Sequence, residues 1–97
     1  MGIEDLTEAV RARVGGASIG GVLKFDLGEA GVIRIDGTQT PAVVDNTDGP
    51  ADCTIKVAES DFREIMEGKQ NAQMAFMMGK LKIEGNMGLA MQLAGSL

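Results

Sequence analysis

The fold is decided by residues 79–91, which read Gly79-Lys80-Leu81-Lys82-Ile83-Glu84-Gly85-Asn86-Met87-Gly88-Leu89-Ala90-Met91. The first half alternates apolar Leu81 and Ile83 with charged side chains, a pattern typical of a strand with one covered face. The second half begins at Asn86, a residue type that favours helix starts, and carries few polar side chains after it. The stretch therefore predicts a strand followed directly by a largely apolar helix.

Two short helices are predicted just before this stretch. Ser60 is placed to cap a helix that Gly68 ends, and Asn71 is placed to cap a shorter helix that Gly79 ends. In each helix, apolar residues recur at helical spacing: Phe62, Ile65 and Met66 in the first, and Met74, Met77 and Met78 in the second.

The N-terminal half predicts a helix and four strands. Apolar residues at three- and four-residue spacing mark an amphipathic helix over residues 3–14, ended by Gly15-Gly16. The period then changes to two, and turn residues 28–31 join the first two strands into a hairpin. The apolar positions of the four strands are Leu23, Phe25 and Leu27, then Ile33 and Ile35, then Ala42 to Val44, then Cys53, Ile55 and Val57.

These elements predict one α+β domain spanning residues 1–97. A chain of 97 residues can build one core but not two. Every strand alternates apolar and polar residues, so the sheet should keep one solvent-exposed face and one covered face, as antiparallel and mixed sheets do. We therefore expect a five-stranded, mostly antiparallel sheet with helices covering one face.

Composition excludes several function classes. The formal net charge of −5 repels phosphate backbones, so nucleic acid is not an expected partner. The lone cysteine, Cys53, cannot form an internal disulfide and fits a reducing compartment, so we expect a cytoplasmic protein. The start of the chain has an acidic helix pattern unlike a signal peptide.

The residues offer little support for catalysis. The chain contains no histidine, the usual general base and the commonest metal ligand. Asp45, Asp48 and Asp52 lack the spacing of a calcium loop, and the glycine-rich stretches lack phosphate-loop order. Cys53 falls on the apolar phase of its strand. We therefore expect no enzyme activity, no metal and no cofactor.

The most informative feature is a surplus of large apolar side chains in the last third of the chain. Seven methionines occur beside three phenylalanines and no tyrosine or tryptophan, and five of those methionines lie between residues 74 and 91. Methionine is flexible, so it both fills gaps in cores and adapts to varied ligands. Composition leaves core packing and cavity lining open as alternatives.

The sequence resembles the sterol carrier protein type 2 family. The resemblance covers nearly the whole chain and is strongest in residues 51–55, in Ser60-Asp61-Phe62, in Met66-x-Gly68-Lys69 and in residues 79–91. It implies helices covering a five-stranded sheet and enclosing a hydrophobic tunnel for sterol-like molecules, fatty acids, fatty acyl-CoA or phospholipids. It also favours cavity lining over simple core for the methionine-rich segment.

The resemblance implies which residues form the binding site. The tunnel lining it implies is Phe76, Met77, Met78, Leu81, Met87 and Met91, with Leu23, Phe25, Ile35 and Met74 as weaker members. We expect an apolar pocket of at least ~300 Å³ between residues 74–78 and 87–93.

Two departures from the family pattern bear on function. Ala72, Met77 and Met78 stand where relatives often carry Pro, Phe and Gln, so a polar contact within the cavity is expected to be lost. The final Gly95-Ser96-Leu97 lacks the basic residue of a peroxisomal signal, which agrees with a cytosolic carrier.

Two functions remain open. The first is non-enzymatic binding and intracellular transfer of lipids, with transient membrane contact. The second is an accessory role, in which the fold holds a lipid or a quinone precursor for a biosynthetic complex. Lys69, Lys80 and Lys82 either meet phosphates of a ligand or membrane near the cavity mouth, or are only the solvent side of their elements.

Overall fold

The computed structural model describes residues 3–14, 20–39 and 42–94, the last three of them by their backbone alone. Within these residues the chain forms, in order, α1 (Ile3–Val14), β1 (Val22–Asp26), β2 (Val32–Asp36), β3 (Val43–Asp45), β4 (Cys53–Val57), α2 (Glu59–Met66), α3 (Ala72–Met77), β5 (Leu81–Gly85) and α4 (Met87–Ala94). This order confirms the predicted sequence of elements. The predicted helix stop at Gly15-Gly16 lies outside the described residues.

The strands of the described residues form one five-stranded sheet in the order β3-β2-β1-β4-β5. Three of its pairings are antiparallel, whereas β1 and β4 run parallel at the centre, with Leu23 opposite Cys53 and Phe25 opposite Ile55. The α+β class and the mostly antiparallel sheet are therefore confirmed. A parallel pair needs a crossover connection, and here β2 and β3 occupy that connection.

The sheet keeps one covered face and one open face, as the alternation predicts. Leu23, Phe25 and Ile35 are buried on the covered face, whereas Lys24 and Arg34 occupy the opposite, partly exposed face. Helix α1 lies against β2 and β3, and α4 lies against β4 and β5. Because all strands bury the same side, one core forms between the sheet and the helices.

Polar contacts hold α1 in place over β3. The buried Thr7 hydroxyl donates to the Ile3 carbonyl at 2.8 Å and accepts a bond of 2.9 Å from the Asn46 side chain. Arg11 donates from its Nη2 to the Val44 carbonyl at 2.7 Å. The apolar side of α1 is thus fixed against the sheet and withdrawn from solvent.

The start of α2 differs from its prediction. Ser60 is not the cap, since α2 begins at Glu59 and Ala58 is its N-cap, extended at ψ 145°. The helix starts as soon as β4 ends, which leaves one extended residue between them. Ala58 has no side-chain oxygen to accept the free N–H groups, whereas Asn71 caps α3 as predicted by accepting from the backbone of Gln73 and Met74.

No helix within residues 3–14, 20–39 and 42–94 has the length and apolar content needed to cross a bilayer.

Replacing Ala58 with Ser should stabilise the protein by about 1 kcal/mol, because a hydroxyl at this extended position can accept a free N–H of the first turn of α2. Asn71→Ala, which removes an existing cap, should act in the opposite direction. Urea denaturation at equilibrium measures both changes. An unchanged midpoint for Ala58→Ser would show that the first turn of α2 gains nothing from a cap.

Candidate functional site

A small apolar cavity lies between the sheet and three of the helices. Its internal space is about 60 Å³, and it is bounded by β1, β4 and β5 on one side and by α2, α3 and α4 on the other. The side chains around it are Phe25, Ile55, Phe62, Ile65, Ala72, Gln73, Phe76, Leu81, Ile83, Ala90 and Met91. Gln73 is the one polar residue among these described side chains.

Two aromatic rings form the deep end of the cavity. Phe25 comes from β1 and Phe62 from α2, and their ring centroids are 4.6 Å apart at an interplanar angle of 46°. Such tilted contacts are favourable for aromatic pairs. Both side chains are buried, so this end of the cavity is closed to solvent.

The mouth of the cavity lies between α3 and α4. Phe76 from α3 and Met91 from α4 both border the cavity, yet their side chains remain 42% and 60% exposed. Ala72 and Ala90 border it on the same two helices and leave room because of their small size. Access to the apolar interior therefore passes between these two helices.

The start of α4 is fixed to the start of β4 by a backbone hydrogen bond between Asn86 and Asp52. The Asn86 N–H donates to the Asp52 carbonyl at 2.9 Å, and the Asn86 side chain accepts from the Gly88 N–H at 2.9 Å. Gly85 has φ of +99°, and a Cβ there would collide with the Asp52 carbonyl oxygen. Only glycine permits this close approach.

Helix α4 covers Cys53 and rests on Gly21. A Cβ at Gly21 would lie 2.7 Å from Oδ2 of Asp52 and 2.9 Å from a methyl carbon of Leu89, so the absence of a side chain there lets both the Asp52 carboxylate and α4 approach the start of β1. The Cys53 thiol is buried beneath α4. Burial raises the pKa of Cys53, and a hydrogen bond with the Ala90 backbone offsets part of that rise. The thiol is thus held protonated inside the core.

The structure brings four of the ten proposed lining residues together. Phe25, Phe76, Leu81 and Met91 border the cavity. Leu23 and Ile35 are fully buried in the core and lie outside this lining. The remaining four are exposed and outside it as well: Met74, Met77, Met78 and Met87.

The orientation of α3 explains the outward methionines. Ala75 is the buried residue of this six-residue helix, so the face that carries Met74 and Met77 points to solvent, and the C-cap residue Met78 is exposed as well. The departure from the family pattern at Met78 consequently falls outside the cavity, and Gln73 supplies the polar group at the lining. At about 60 Å³ the cavity is also smaller than the ~300 Å³ that the sequence predicts.

Several lining residues were missed by sequence reasoning. Ile55 and Ile83 alternate in phase with other buried strand residues, so the strand pattern could have placed them beside the cavity. Phe62 and Ile65 were recognised as one helix face, but nothing in the pattern distinguishes a face that borders a cavity from a solid core. Ala72 and Ala90 carry no signal because small residues are common everywhere.

The lysines of residues 68–83 lie outside the cavity. Lys80 is 3.9 Å from the Asp61 carboxylate, and Lys69 is 3.7 Å from that of Glu67. Lys82 is exposed and forms no ion pair with the residues that the structure describes. Exposed pairs of this kind contribute little to stability.

Comparison with known proteins gives a consistent match. The model of the SCP-2 sterol transfer family matches residues 4–97. Sterol carrier protein 2 from Homo sapiens is 62% identical over 52 residues, covering 54% of this chain and 10% of that protein. A fatty acid-binding protein from Yarrowia lipolytica is 43% identical over 49 residues, covering 50% of this chain and 38% of that protein. The chain therefore spans a small part of these relatives.

The fold is also found among solved structures. The solution structure of palmitated SCP2L2 from Aedes aegypti superposes with a TM-score of 0.74 at 27% identity, covering 98% of this chain and 93% of that chain.

The Cys53 thiol should report whether α4 stays on the sheet. In the folded protein at pH 8, we expect a thiol reagent to react about 100-fold more slowly than in denaturant, because the thiol is buried and protonated. Leu89→Ala, which weakens the contact of α4 with Gly21, should increase that rate. Fast reaction of the folded wild-type protein would contradict the placement of α4 over Cys53.

Proposed function

The chain belongs to the SCP-2 sterol transfer family, and we propose that it binds the apolar chain of a lipid in the cavity between its sheet and helices, without altering it chemically. The observation that carries this proposal is the lining of the cavity, in which, of the side chains that the structure describes, Gln73 is polar and the others are aliphatic or aromatic. Such a lining favours burial of hydrocarbon over any charged substrate.

The free energy of burying an acyl chain is consistent with a carrier role. Removing the ~15 methylene groups of a long acyl chain from water is worth about 12 kcal/mol, at ~0.8 kcal/mol for each group. Relative to a membrane interior that gain nearly vanishes, because the hydrocarbon is already out of water there. A protein of this kind can therefore take up lipid and return it to a bilayer.

Binding requires the cavity to enlarge. A volume of about 60 Å³ is well below the ~300 Å³ at the low end for ligand sites. The strands beneath the cavity are held by ladder hydrogen bonds, so the helices above it are the parts that can shift. We place the incoming chain between α3 and α4, where it displaces Phe76 and Met91 and then contacts Phe25 and Leu81.

Fatty acids and fatty acyl esters are the ligand class we favour. One relative is a fatty acid-binding protein and one structural neighbour is palmitated. A long, flexible acyl chain can enter a narrow opening more easily than a rigid ring system. Methionine side chains at the mouth adapt to such chains because they are unbranched and deformable.

The same cavity would serve the accessory role, in which lipid is held for a biosynthetic complex, and that role stays a prediction. Transfer is favoured because the SCP-2 sterol transfer family model matches residues 4–97, a range that includes every lining residue of the cavity. Among the side chains that the structure describes, those lining the cavity include no ionisable group, which supports binding without a catalytic step.

Ala72→Leu should reduce palmitate affinity by about tenfold, because the larger side chain occupies the space that an entering acyl chain needs. The matched control is Ala12→Leu on the exposed side of α1, which should leave affinity unchanged. Calorimetric titration measures binding, and thermal denaturation verifies that both variants fold. Full affinity in Ala72→Leu, or no palmitate binding by the wild-type protein, would contradict the proposed site.

A further inference from the structure

Among the side chains that the structure describes, an exposed apolar surface surrounds the cavity mouth. We call it the methionine patch. Its members are Met74, Phe76, Met77, Met78, Met87 and Met91, with exposures from 42% to 81%. Monomeric proteins rarely expose large apolar side chains in a contiguous group, and such groups commonly mark interaction sites.

The methionine patch is continuous with the cavity. Phe76 and Met91 belong to both, so the patch begins where the apolar interior reaches the surface. Met87 precedes Met91 by one helical turn and shares its side of α4. Met77 and Met78 extend the surface along α3. A lipid leaving the cavity would therefore meet this surface first.

The charges beside the methionine patch differ in sign from those of the protein as a whole. Residues 68–83 contain three lysines and no carboxylate, although the chain has a net charge of −5. Gly79 directly follows Met78 and borders a shallow depression of about 460 Å³, whose charged lining is Asp26, Lys56, Lys80 and Lys82. Lys56 lies 3.5 Å from the Glu84 carboxylate and Lys80 lies 3.9 Å from that of Asp61. The lining of this depression therefore has three lysines against one aspartate, and because exposed ion pairs are weak, its lysines can exchange their carboxylate partners for lipid phosphates.

We propose that the methionine patch inserts into the interfacial layer of a phospholipid bilayer, with Lys80 and Lys82 beside the lipid phosphates, so that lipid passes directly between bilayer and cavity. This proposal rests on the lipid-binding function proposed above. Helix α1 does not offer an equivalent surface, because its apolar residues Leu6, Val10 and Val14 are buried. Deformable methionine side chains suit repeated insertion and withdrawal.

The decisive variant is Met77→Glu with Met78→Glu. Both side chains are exposed and lie outside the cavity lining, so the charges alter the patch without touching the interior. In flotation with phosphatidylcholine vesicles, we expect partition to fall by about tenfold. The matched control is Ala12→Glu with Val43→Glu, which adds the same charge at exposed positions on α1 and on the opposite sheet edge. It should partition like the wild-type protein.

Palmitate titration without vesicles separates this proposal from the proposed function. Normal palmitate binding by the Met77→Glu, Met78→Glu variant together with lost vesicle partition supports the docking surface. If the wild-type protein binds palmitate but does not partition onto vesicles, the docking proposal is overturned. It is also overturned if the Ala12→Glu, Val43→Glu control loses vesicle partition to the same extent as the patch variant. Sedimentation velocity tests whether a second copy of the chain occupies the patch instead. If the wild-type protein is a dimer that does not bind vesicles, and Met77→Glu with Met78→Glu dissociates it, the patch is an interface between two copies and the proposal is overturned.

The lysines are tested separately. On vesicles of equal parts phosphatidylcholine and phosphatidylserine, the wild-type protein should partition more strongly than on phosphatidylcholine alone. Lys80→Gln with Lys82→Gln should abolish that increase, and added salt should diminish it. An increase that survives the double substitution would overturn the placement of these lysines beside lipid phosphates.

Discussion

The architecture depends on the contacts of Asp52 at the start of the central parallel pair. Its N–H donates to the Val22 carbonyl at 2.8 Å, and its carboxylate accepts from the Val22 N–H at 2.9 Å. Its own carbonyl accepts from Asn86. One residue therefore sets how β4 lies beside β1 and where α4 begins. Since α4 forms one side of the cavity mouth, the position of the opening follows from this junction.

The sheet and the two helices at the cavity mouth differ in how firmly they are held. The sheet carries a continuous set of backbone hydrogen bonds, whereas α3 is a six-residue helix with Ala75 as its buried residue. Helix α4 is fixed at its start by the hydrogen bond of Asn86, and its Leu89 side chain packs against Gly21. Opening the mouth disturbs few buried contacts, so it is the least costly movement by which the cavity can grow.

Most of the fold could be predicted because its signals are local. Strand alternation showed which residues share the covered face, and Asn71 and Asn86 marked their helix starts correctly. Periodicity groups residues on a face but does not orient that face. Met74, Met77 and Met78 were therefore grouped correctly, yet their outward direction depends on how α3 meets β5. The small cavity could not be predicted, because its volume depends on the packing of six elements.

Exposed thioethers also make the cavity mouth chemically vulnerable. Oxidation converts methionine into a polar sulfoxide, and Met77 at 81% exposure is far more accessible to oxidants than the buried Met66. Sulfoxides on α3 and α4 would make this surface hydrophilic while leaving the core intact. Because methionine sulfoxide reductases reverse the reaction, the redox history of the surrounding solution could modulate this face without a change of fold.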